Sequence, residues 1–248
     1  MKKEKLSICA IVPARSGSKT IKNKNILKLN GFPMLAYSIV AAKKSKLVDK
    51  VVFSSDSTKY LKIAKKYKPD ILHHRSRKNS SSKARDIDFL NEIYMYLKKK
   101  KNYNPQIFAL IRPNTPTRIV KDIDDSIKFF LKNYNFYTGL RSISQMSETS
   151  YKTFYLKNKK LCSVIGNKFN IENLNRPKED FKNTYYGNGC IDLIKTSNLS
   201  KGITHGNKVY GFMTKNIYID VDYKNDIKLA KYFIKEKKYL SIKNDKKY

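Results

Sequence analysis

The chain has 248 residues and a formal net charge of +33, and this length favours one α/β domain with an excursion over two full domains. Only eight of its 53 basic residues are arginines, and the lysines are spread through every segment, which does not indicate a dedicated nucleic-acid surface. No stretch is long enough to span a bilayer, and three isolated cysteines argue against a disulfide framework or a zinc site, so we expect a cytoplasmic protein with no membrane partner.

Apolar runs alternate with amphipathic runs through the first half of the chain. The apolar runs predict buried strands at residues 6–12, 48–56 and 106–111. Apolar residues at helical spacing predict helices at residues 31–45, 57–67, 86–101 and 119–133. Strands that alternate with helices are typical of parallel βαβ units with helices on both faces of the sheet. The predicted fold class is therefore α/β, with a doubly wound, mostly parallel sheet.

The pattern changes after residue 136, where a β-rich excursion at about 137–187 begins. We predict a strand at 136–145, a hairpin at 152–165, a polar irregular stretch at 173–189 and a strand at 190–194. The last predicted elements are an apolar run at 208–214, a strand at 216–222 and a helix at 223–237. A long excursion of this kind carries a subunit contact or part of a substrate pocket. We treat residues 1–248 as a single domain.

The loop AIVPARSGSKTIKNKN, residues 10–25, follows the first predicted strand and contains no acidic residue. In open α/β sheets ligands collect beyond the carboxyl ends of the strands, and a loop of serine, glycine, lysine and arginine there suits phosphate. The loop matches neither the Walker pattern nor GxGxxG. It indicates a nucleotide site, and the alternative is a solvated, lysine-rich loop.

The segment IYIDVD supplies two carboxylates near the end of the chain. In a strand with a period of two, Asp220 and Asp222 share one face with Tyr218. Carboxylate oxygens that converge with phosphate oxygens bind magnesium. The alternative is that Asp222 caps the following helix while Asp220 faces water. With the basic loop, the pair indicates metal-dependent nucleotidyl chemistry.

Five motifs in a fixed order carry a family resemblance: IVPARSGSKTIKNKN, FSSDS, LIRPNTPTR, NGCIDLI and IDVD. From residue 8 to the closing helix the chain resembles the acylneuraminate cytidylyltransferases, also called CMP-sialic acid synthetases. The resemblance implies a nucleotidyltransferase-like fold. It also implies that the anomeric hydroxyl of a 2-keto nonulosonic acid attacks the α-phosphorus of CTP, giving a CMP-sugar and pyrophosphate. The sugar acids of the family include N-acetylneuraminic, legionaminic and pseudaminic acids.

The resemblance also implies roles for individual residues. Arg15 and Lys24 would neutralise the charge on the departing pyrophosphate, and Asp220 and Asp222 would bind Mg²⁺. The implied nucleotide contacts are Ala14, Arg15, Ser16, Gly17, Ser18, Lys24, Arg75, near the cytosine, and Asn188. The implied sugar contacts are Arg112, Lys152 and Asn188. The resemblance further implies a homodimer in which the excursion of one subunit leans over the site of its partner.

An additional acidic residue, Asp56, follows the second predicted strand. It is a weaker site candidate than the late aspartate pair, because an aspartate there can equally cap the next helix.

The chain departs from the family pattern mainly on the sugar side. Thr20 replaces a glycine, Lys22 replaces a proline, and Lys178 and Glu179 stand where an Arg-Gln pair is usual. Arg112 replaces a glutamine, and an arginine can grip the sugar carboxylate with two hydrogen bonds where an amide cannot. These departures leave the identity of the sugar acid open.

Arg112 also has a structural interpretation, which is a pair with Asp122 or Asp124 that fixes its loop.

Three other functions remain compatible with the sequence. A nucleotide-sugar-dependent glycosyltransferase also uses a D-x-D pair, but there the pair normally follows a middle strand. A basic nucleic-acid-binding protein would bind weakly and with a steep salt dependence. A catalytically inactive relative would share the fold without the activity.

Overall fold

The computed structural model describes residues 5–166, 169–236, 239 and 242. The strands are β1 (Ile8–Pro13), β2 (Lys28–Leu29), β3 (Phe32–Pro33), β4 (Lys50–Ser55), β5 (Ile71–His74), β6 (Ile107–Leu110), β7 (Gly139–Gln145), β8 (Phe154–Lys157), β9 (Lys160–Ser163), β10 (Tyr185–Lys195) and β11 (Val209–Met213). The α-helices are α1 (Met34–Lys44), α2 (Thr58–Lys65), α3 (Asp86–Lys101), α4 (Val120–Lys132), α5 (Ile171–Leu174), α6 (Thr196–Leu199) and α7 (Lys224–Phe233).

The central sheet has seven strands in the order β11-β7-β10-β6-β1-β4-β5. β1 pairs in parallel with both β4 and β6, and β4 pairs in parallel with β5. β10 runs antiparallel to its neighbours β6 and β7, while β11 is parallel to β7. One strand therefore opposes the others, and the predicted doubly wound, mostly parallel α/β fold is confirmed.

Both faces of the sheet are covered by apolar side chains, as expected for parallel strands. Successive residues of β1 point to opposite faces, so Ala10 and Val12 belong to one buried cluster while Cys9 and Ile11 belong to the other. The first cluster includes residues of α1 and α4, and the second includes residues of α3. The strands are thereby held rigidly, and their carboxyl ends give loops a fixed base.

The predicted strand at 216–222 is wrong, because no part of this segment forms a strand. Strict alternation would bury every second side chain, but Tyr218 and Val221 are the buried residues, while Ile217 is 49% exposed. The backbone instead follows the loop after β6, where Val221 N donates to Asn114 O (2.7 Å) and Ile219 N donates to Thr117 Oγ1 (2.8 Å). The segment is thus an extended strap across the carboxyl end of the sheet.

Other differences are smaller. The sequence does not reveal β5, and it places the strand at 190–194 although β10 begins earlier, with an irregularity in its pairing to β7 between Gly187 and Asp192. The predicted closing helix is shorter, since α7 ends at Phe233, and Lys237, its predicted last residue, lies outside the described residues.

The excursion contains the predicted hairpin, in which β8 and β9 form a separate two-stranded antiparallel sheet. β7 and the first residues of β10 extend the central sheet into this region. Within the part of the chain that the structure describes, no helix is both long and apolar enough to cross a membrane.

Candidate active site

A cavity of about 440 Å³ opens beyond the carboxyl ends of β1 and β6. This is the position at which open α/β sheets bind ligands. Six residues predicted from the sequence line it together: Arg15, Ser18, Lys24, Arg75, Arg112 and Asp222. With Lys19 and Asp86, which also line it, the cavity brings five cationic side chains and two carboxylates to a single concave surface, and this excess of positive charge suits a polyanionic ligand.

The loop after β1 is fixed by side chains that bind its backbone. Ser16 donates from both its N–H and its hydroxyl to the two carboxylate oxygens of Asp56, at 2.8 Å each. Asn25 Nδ2 donates to Arg15 O at 3.0 Å. Asp56 does not cap α2, because Ser57 accepts the hydrogen bond from Tyr60 N. Asp56 therefore anchors the basic loop.

Lys24 and Asp222 form an ion pair on the cavity wall, with Lys24 Nζ 2.6 Å from Asp222 Oδ1. Asp222 does not cap α7, because Asp226 accepts the hydrogen bonds from the backbone N–H groups of Asp222 and Tyr223. The capping interpretation of Asp222 is therefore wrong, and its carboxylate faces the cavity. The pair joins two residues that are 198 positions apart in the chain.

Asp220 precedes this pair by two residues. Much of its surface reaches solvent, yet its carboxyl group is partly desolvated, and desolvation, followed by the negative charge of Asp222, raises the pKa of Asp220 to about 6. A neighbouring carboxylate makes the ionised form of a carboxyl group less stable, and a cation placed between the two groups stabilises that form.

The two carboxylates fit a magnesium ion that also binds a nucleotide. Among the described residues no group of three or more histidine, cysteine, aspartate or glutamate side chains could enclose a metal on its own. Mg²⁺ typically uses one or two protein carboxylates and takes its other ligands from substrate phosphates and water. Asp220 and Asp222 supply that donor set.

Arg75 is buried in the cavity wall, and its guanidinium lies 4.3 Å from the centre of the Phe89 ring. Its Nε donates to Ser54 Oγ and its Nη2 donates to Ser54 O, both at 3.2 Å. Burial is the largest cause of the shift that lowers the pKa of Arg75 to about 10, so the side chain remains a cation at neutral pH.

Arg112 lines the same cavity and is paired with Asp86 at the start of α3, through both of its terminal nitrogens. The structural interpretation of Arg112 as part of an ion pair is therefore confirmed, but the partners named for it are wrong, because Asp122 accepts from Tyr218 and Asp124 accepts from Ser45. The contact with α3 holds the guanidinium at the cavity rim.

Arg118 is fully buried, and no sequence pattern indicated it as a functional residue. Its guanidinium donates to the carbonyl oxygens of Arg112 (2.9 Å), Gly189 (2.7 Å) and Cys190 (2.6 Å). Arg118 therefore joins the loop after β6 to the irregular part of β10. The position of Arg118 in LIRPNTPTR was visible in the sequence, but its partners were not.

Gly189 shows how closely these two segments approach. Its φ is +72°, which favours glycine, and a Cβ there would lie 2.4 Å from Thr115 Oγ1. A side chain at this position would strain the backbone and force the Thr115 side chain to move.

Some predicted site residues do not line the cavity. Asn188 is buried and donates to Ser144 Oγ (2.9 Å) and Thr214 Oγ1 (2.7 Å). Lys152 Nζ donates to Arg176 O at 2.6 Å within the excursion. Asp220 and, among the predicted nucleotide contacts of the basic loop, Ala14, Ser16 and Gly17 also lie outside the lining. The roles of these residues, like the roles of those that line the cavity, stay predictions.

Thr20 lines the cavity beside Ser18, whereas Lys178 lies in the excursion, where its Nζ donates to the carbonyl oxygens of Met146 (3.1 Å) and Ser147 (2.6 Å). Lys22 and Glu179 do not line the cavity.

Comparison with known proteins identifies the family. The model of the cytidylyltransferase family matches residues 9–153, which is more than half of the chain. A protein of Escherichia coli O18:K1:H7 (strain RS218 / NMEC) named N-acylneuraminate cytidylyltransferase is 30% identical over 90% of this chain, and the chain spans about half of it (51%). Post-translational flagellin modification protein B of Campylobacter coli is 29% identical, and the match covers 93% of this chain and 95% of that protein.

A solved structure shows the same fold. The chain is similar to CMP:2-keto-3-deoxy-manno-octonic acid synthetase complexed with CTP, with a TM-score of 0.64 and 12% identity over 92% of this chain and 98% of that chain. At this identity the likeness shows the fold alone. Together with the family match and the order of the motifs, it confirms the resemblance found in the sequence: the chain belongs to the cytidylyltransferase family.

Proposed function

We propose that this protein is an enzyme that transfers CMP from CTP to a nonulosonic, sialic-acid-like 2-keto sugar acid and releases pyrophosphate. The observation that carries the proposal is the cavity in which Arg15, Lys24, Arg75 and Arg112 meet, in a chain of the cytidylyltransferase family. CTP and a sugar acid are both anionic, and a cationic cleft favours the binding of both. The name of the Escherichia coli relative supports the sugar-acid class.

The reaction replaces a phosphoanhydride bond by a phosphate ester bond. The anomeric hydroxyl oxygen of the sugar acid forms a bond to the α-phosphorus of CTP and gives up its proton to solvent, while the bond from that phosphorus to pyrophosphate breaks. Arg15 and Lys24 lie on the cavity wall where they neutralise the negative charge that the leaving pyrophosphate gains. Because Asn25 and Asp56 already hold the basic loop in place, little reorganisation accompanies the reaction.

Asp220 and Asp222 would hold Mg²⁺ together with the phosphates of CTP. The ion would supply positive charge that polarises the phosphate oxygens. In the structure Lys24 pairs with Asp222. A second cation bound to the Asp222 carboxylate would release the Lys24 ammonium to contact a phosphate.

We also propose that the enzyme is a cytoplasmic homodimer joined through the excursion. The excursion exposes apolar side chains, among them Tyr155 (52% exposed), Leu156 (70%) and Val164 (57%), and a surface of this kind is typical of a protein contact. A partner seated there would bring Lys152 near a second site. Free thiols at Cys9, Cys162 and Cys190 support a reducing compartment.

The test is pyrophosphate release from CTP in the presence of Mg²⁺ and a panel of nonulosonic acids. We expect release with at least one acid, none when the acid is omitted, and none when EDTA removes the metal. Arg15→Ala should abolish most of the release, because Arg15 lines the cavity. Release that does not depend on the sugar acid would contradict the proposal and indicate simple hydrolysis of the nucleotide.

A further inference from the structure

A continuous chain of hydrogen bonds lies behind the wall of the cavity. Arg75 Nε donates to Ser54 Oγ at 3.2 Å, and Ser54 Oγ lies 3.0 Å from His73 Nδ1. All three side chains are buried. On the far side of the ring, His73 Nε2 faces Glu92 Oε1 at 3.6 Å. None of these contacts belongs to the roles that the sequence predicted.

The direction of the hydrogen bonds follows from chemistry. Arg75 can only donate, so the Ser54 oxygen accepts from it, although this oxygen could accept a second hydrogen bond as well. The carboxylate of Glu92, 3.6 Å from Nε2, favours the neutral His73 tautomer with its hydrogen on Nε2. In that tautomer Nδ1 is an acceptor, so the Ser54 hydroxyl donates to it. The chain fixes the Ser54 hydroxyl, and the hydroxyl in turn fixes Arg75.

The charges around His73 support the neutral form. Burial is the largest cause of the shift that lowers the pKa of His73 to about 4, with further contributions from Glu92, which opposes the shift, and from Arg75 and His74, which reinforce it. The ring of Tyr96, from α3, packs edge-on against His73 with 4.8 Å between the ring centres. A neutral acceptor is therefore present at neutral pH.

Glu92 links the same chain to a second residue of the cavity. Its carboxylate accepts hydrogen bonds from the N–H of Ser76 (2.8 Å), from the hydroxyl of Ser76 (2.7 Å) and from Asn79 Nδ2. Asn79 and Arg75 both line the cavity. Arg75 and Asn79 are thus linked through His73, which is buried, and Glu92, which is half-buried.

We propose that His73 is a positioning residue for nucleotide binding, acting through the Ser54 hydroxyl to hold the Arg75 guanidinium at the cavity wall. The inference rests on the proposed function, because it needs CTP as the ligand. His73 touches neither the nucleotide nor the sugar acid. Its effect therefore falls on the dissociation constant of CTP rather than on the turnover number.

The experiment measures CTP binding by isothermal titration calorimetry in the presence of Mg²⁺, without the sugar acid. Leucine and asparagine at position 73 are nearly equal in shape, but only asparagine places an acceptor oxygen where Nδ1 lies. We expect His73→Leu to raise the dissociation constant about tenfold, the effect of one hydrogen bond to a charged group. His73→Asn should restore most of the affinity. A role in packing alone predicts the opposite order, because asparagine fills a buried site less well.

Two further variants complete the test. Ser54→Ala should weaken CTP binding as much as His73→Leu, and the double variant should be no weaker than either single variant, since all three break one chain. This arm also decides the question if His73→Leu fails to fold. His74→Asn is the matched control, because His74 is exposed and its side chain hydrogen-bonds, among the described residues, to Asp56 O at 3.3 Å. The affinity of this variant for CTP should equal that of the wild type.

The outcomes separate this inference from the proposed function. Wild-type protein that binds no CTP contradicts the proposed function, and the inference falls with it. Wild-type protein that binds CTP while His73→Leu and Ser54→Ala bind it equally well overturns the inference alone. Losses of CTP-binding free energy that are additive in the double variant also overturn the inference, because they show that the two substitutions act independently.

Discussion

Arg112→Gln separates a role in substrate binding from a role in loop structure. The side chain contacts Asp86, and the two side chains are 32% and 37% exposed, so this pair is close to solvent. Pairs of this kind contribute about 0.2–1 kcal/mol to stability. A chain of this size should therefore lose no more than about 2–4 °C in Tm.

The expected effect on catalysis is larger. A hydrogen bond to a charged group contributes roughly 1.5–3 kcal/mol, so loss of a grip on the sugar carboxylate should lower kcat/KM for the sugar acid about 10- to 150-fold. The assay is steady-state kinetics with each substrate varied in turn. The KM of the sugar acid should rise and that of CTP should stay nearly unchanged.

Asp86→Asn is the matched control, because it breaks the ion pair while Arg112 keeps its guanidinium. We expect a smaller rise in the KM of the sugar acid than in Arg112→Gln. Two results would refute the reasoning: equal losses in both variants, or an Arg112→Gln variant in which only the KM of CTP changes.

Three further predictions address the metal site, the basic loop and stability. Asp222→Asn should depress turnover severely with a nearly unchanged thermal melt, because this carboxylate lies at the cavity rather than in the core; unfolding of the variant would remove support for its role. Arg15→Ala should lower kcat/KM by a factor that corresponds to a loss of about 3 kcal/mol of transition-state stabilisation, whereas Lys65→Ala, on α2, should change kcat/KM little. Equal small effects of the two substitutions would mean that the loop is only a basic surface. Because the pKa of His73 is lowered to about 4 in the folded chain and is near 6.5 in the unfolded chain, this residue stabilises the fold above pH 6.5 and the stabilisation is lost as the pH falls. Urea melts should show that, from pH 7 to pH 5, the free energy of unfolding falls by about 2 kcal/mol less in His73→Asn than in the wild type. Equal decreases in the two proteins would contradict this origin.

The parts of the fold that could be predicted are those in which one local pattern decides the structure. The run before the basic loop is almost wholly apolar because β1 is buried on both faces, and the helices α3 and α4 show their periodicity plainly. β5 is short and ends in two histidines, so it offers no apolar run. The segment 216–222 alternates like a strand, but tertiary contacts of Tyr218 and Val221 with the loop after β6 and with α4 determine its path.

The site was predictable to the extent that its residues belong to motifs. Arg15, Lys24 and Asp222 meet in the cavity as their motifs implied. The partners that support Arg112 and Arg75 were not predictable. Asp86 begins a helix whose periodicity does not indicate what its side chain contacts, and His73 lies in β5, which shows no recognisable pattern; both reach the cavity residues only through the fold. Asn188 and Lys152 carry the same motif-based expectation, yet they bind other parts of the chain.

The most direct test of the central claim follows the α-phosphorus of CTP. The protein is incubated with α-labelled CTP, Mg²⁺ and the sugar acid, and the products are separated and identified by mass spectrometry. Attack at the α-phosphorus predicts that the label is recovered in a CMP-sugar and that the released pyrophosphate is unlabelled. Label recovered only in CMP or CDP with every sugar acid of the panel would contradict the proposed transfer.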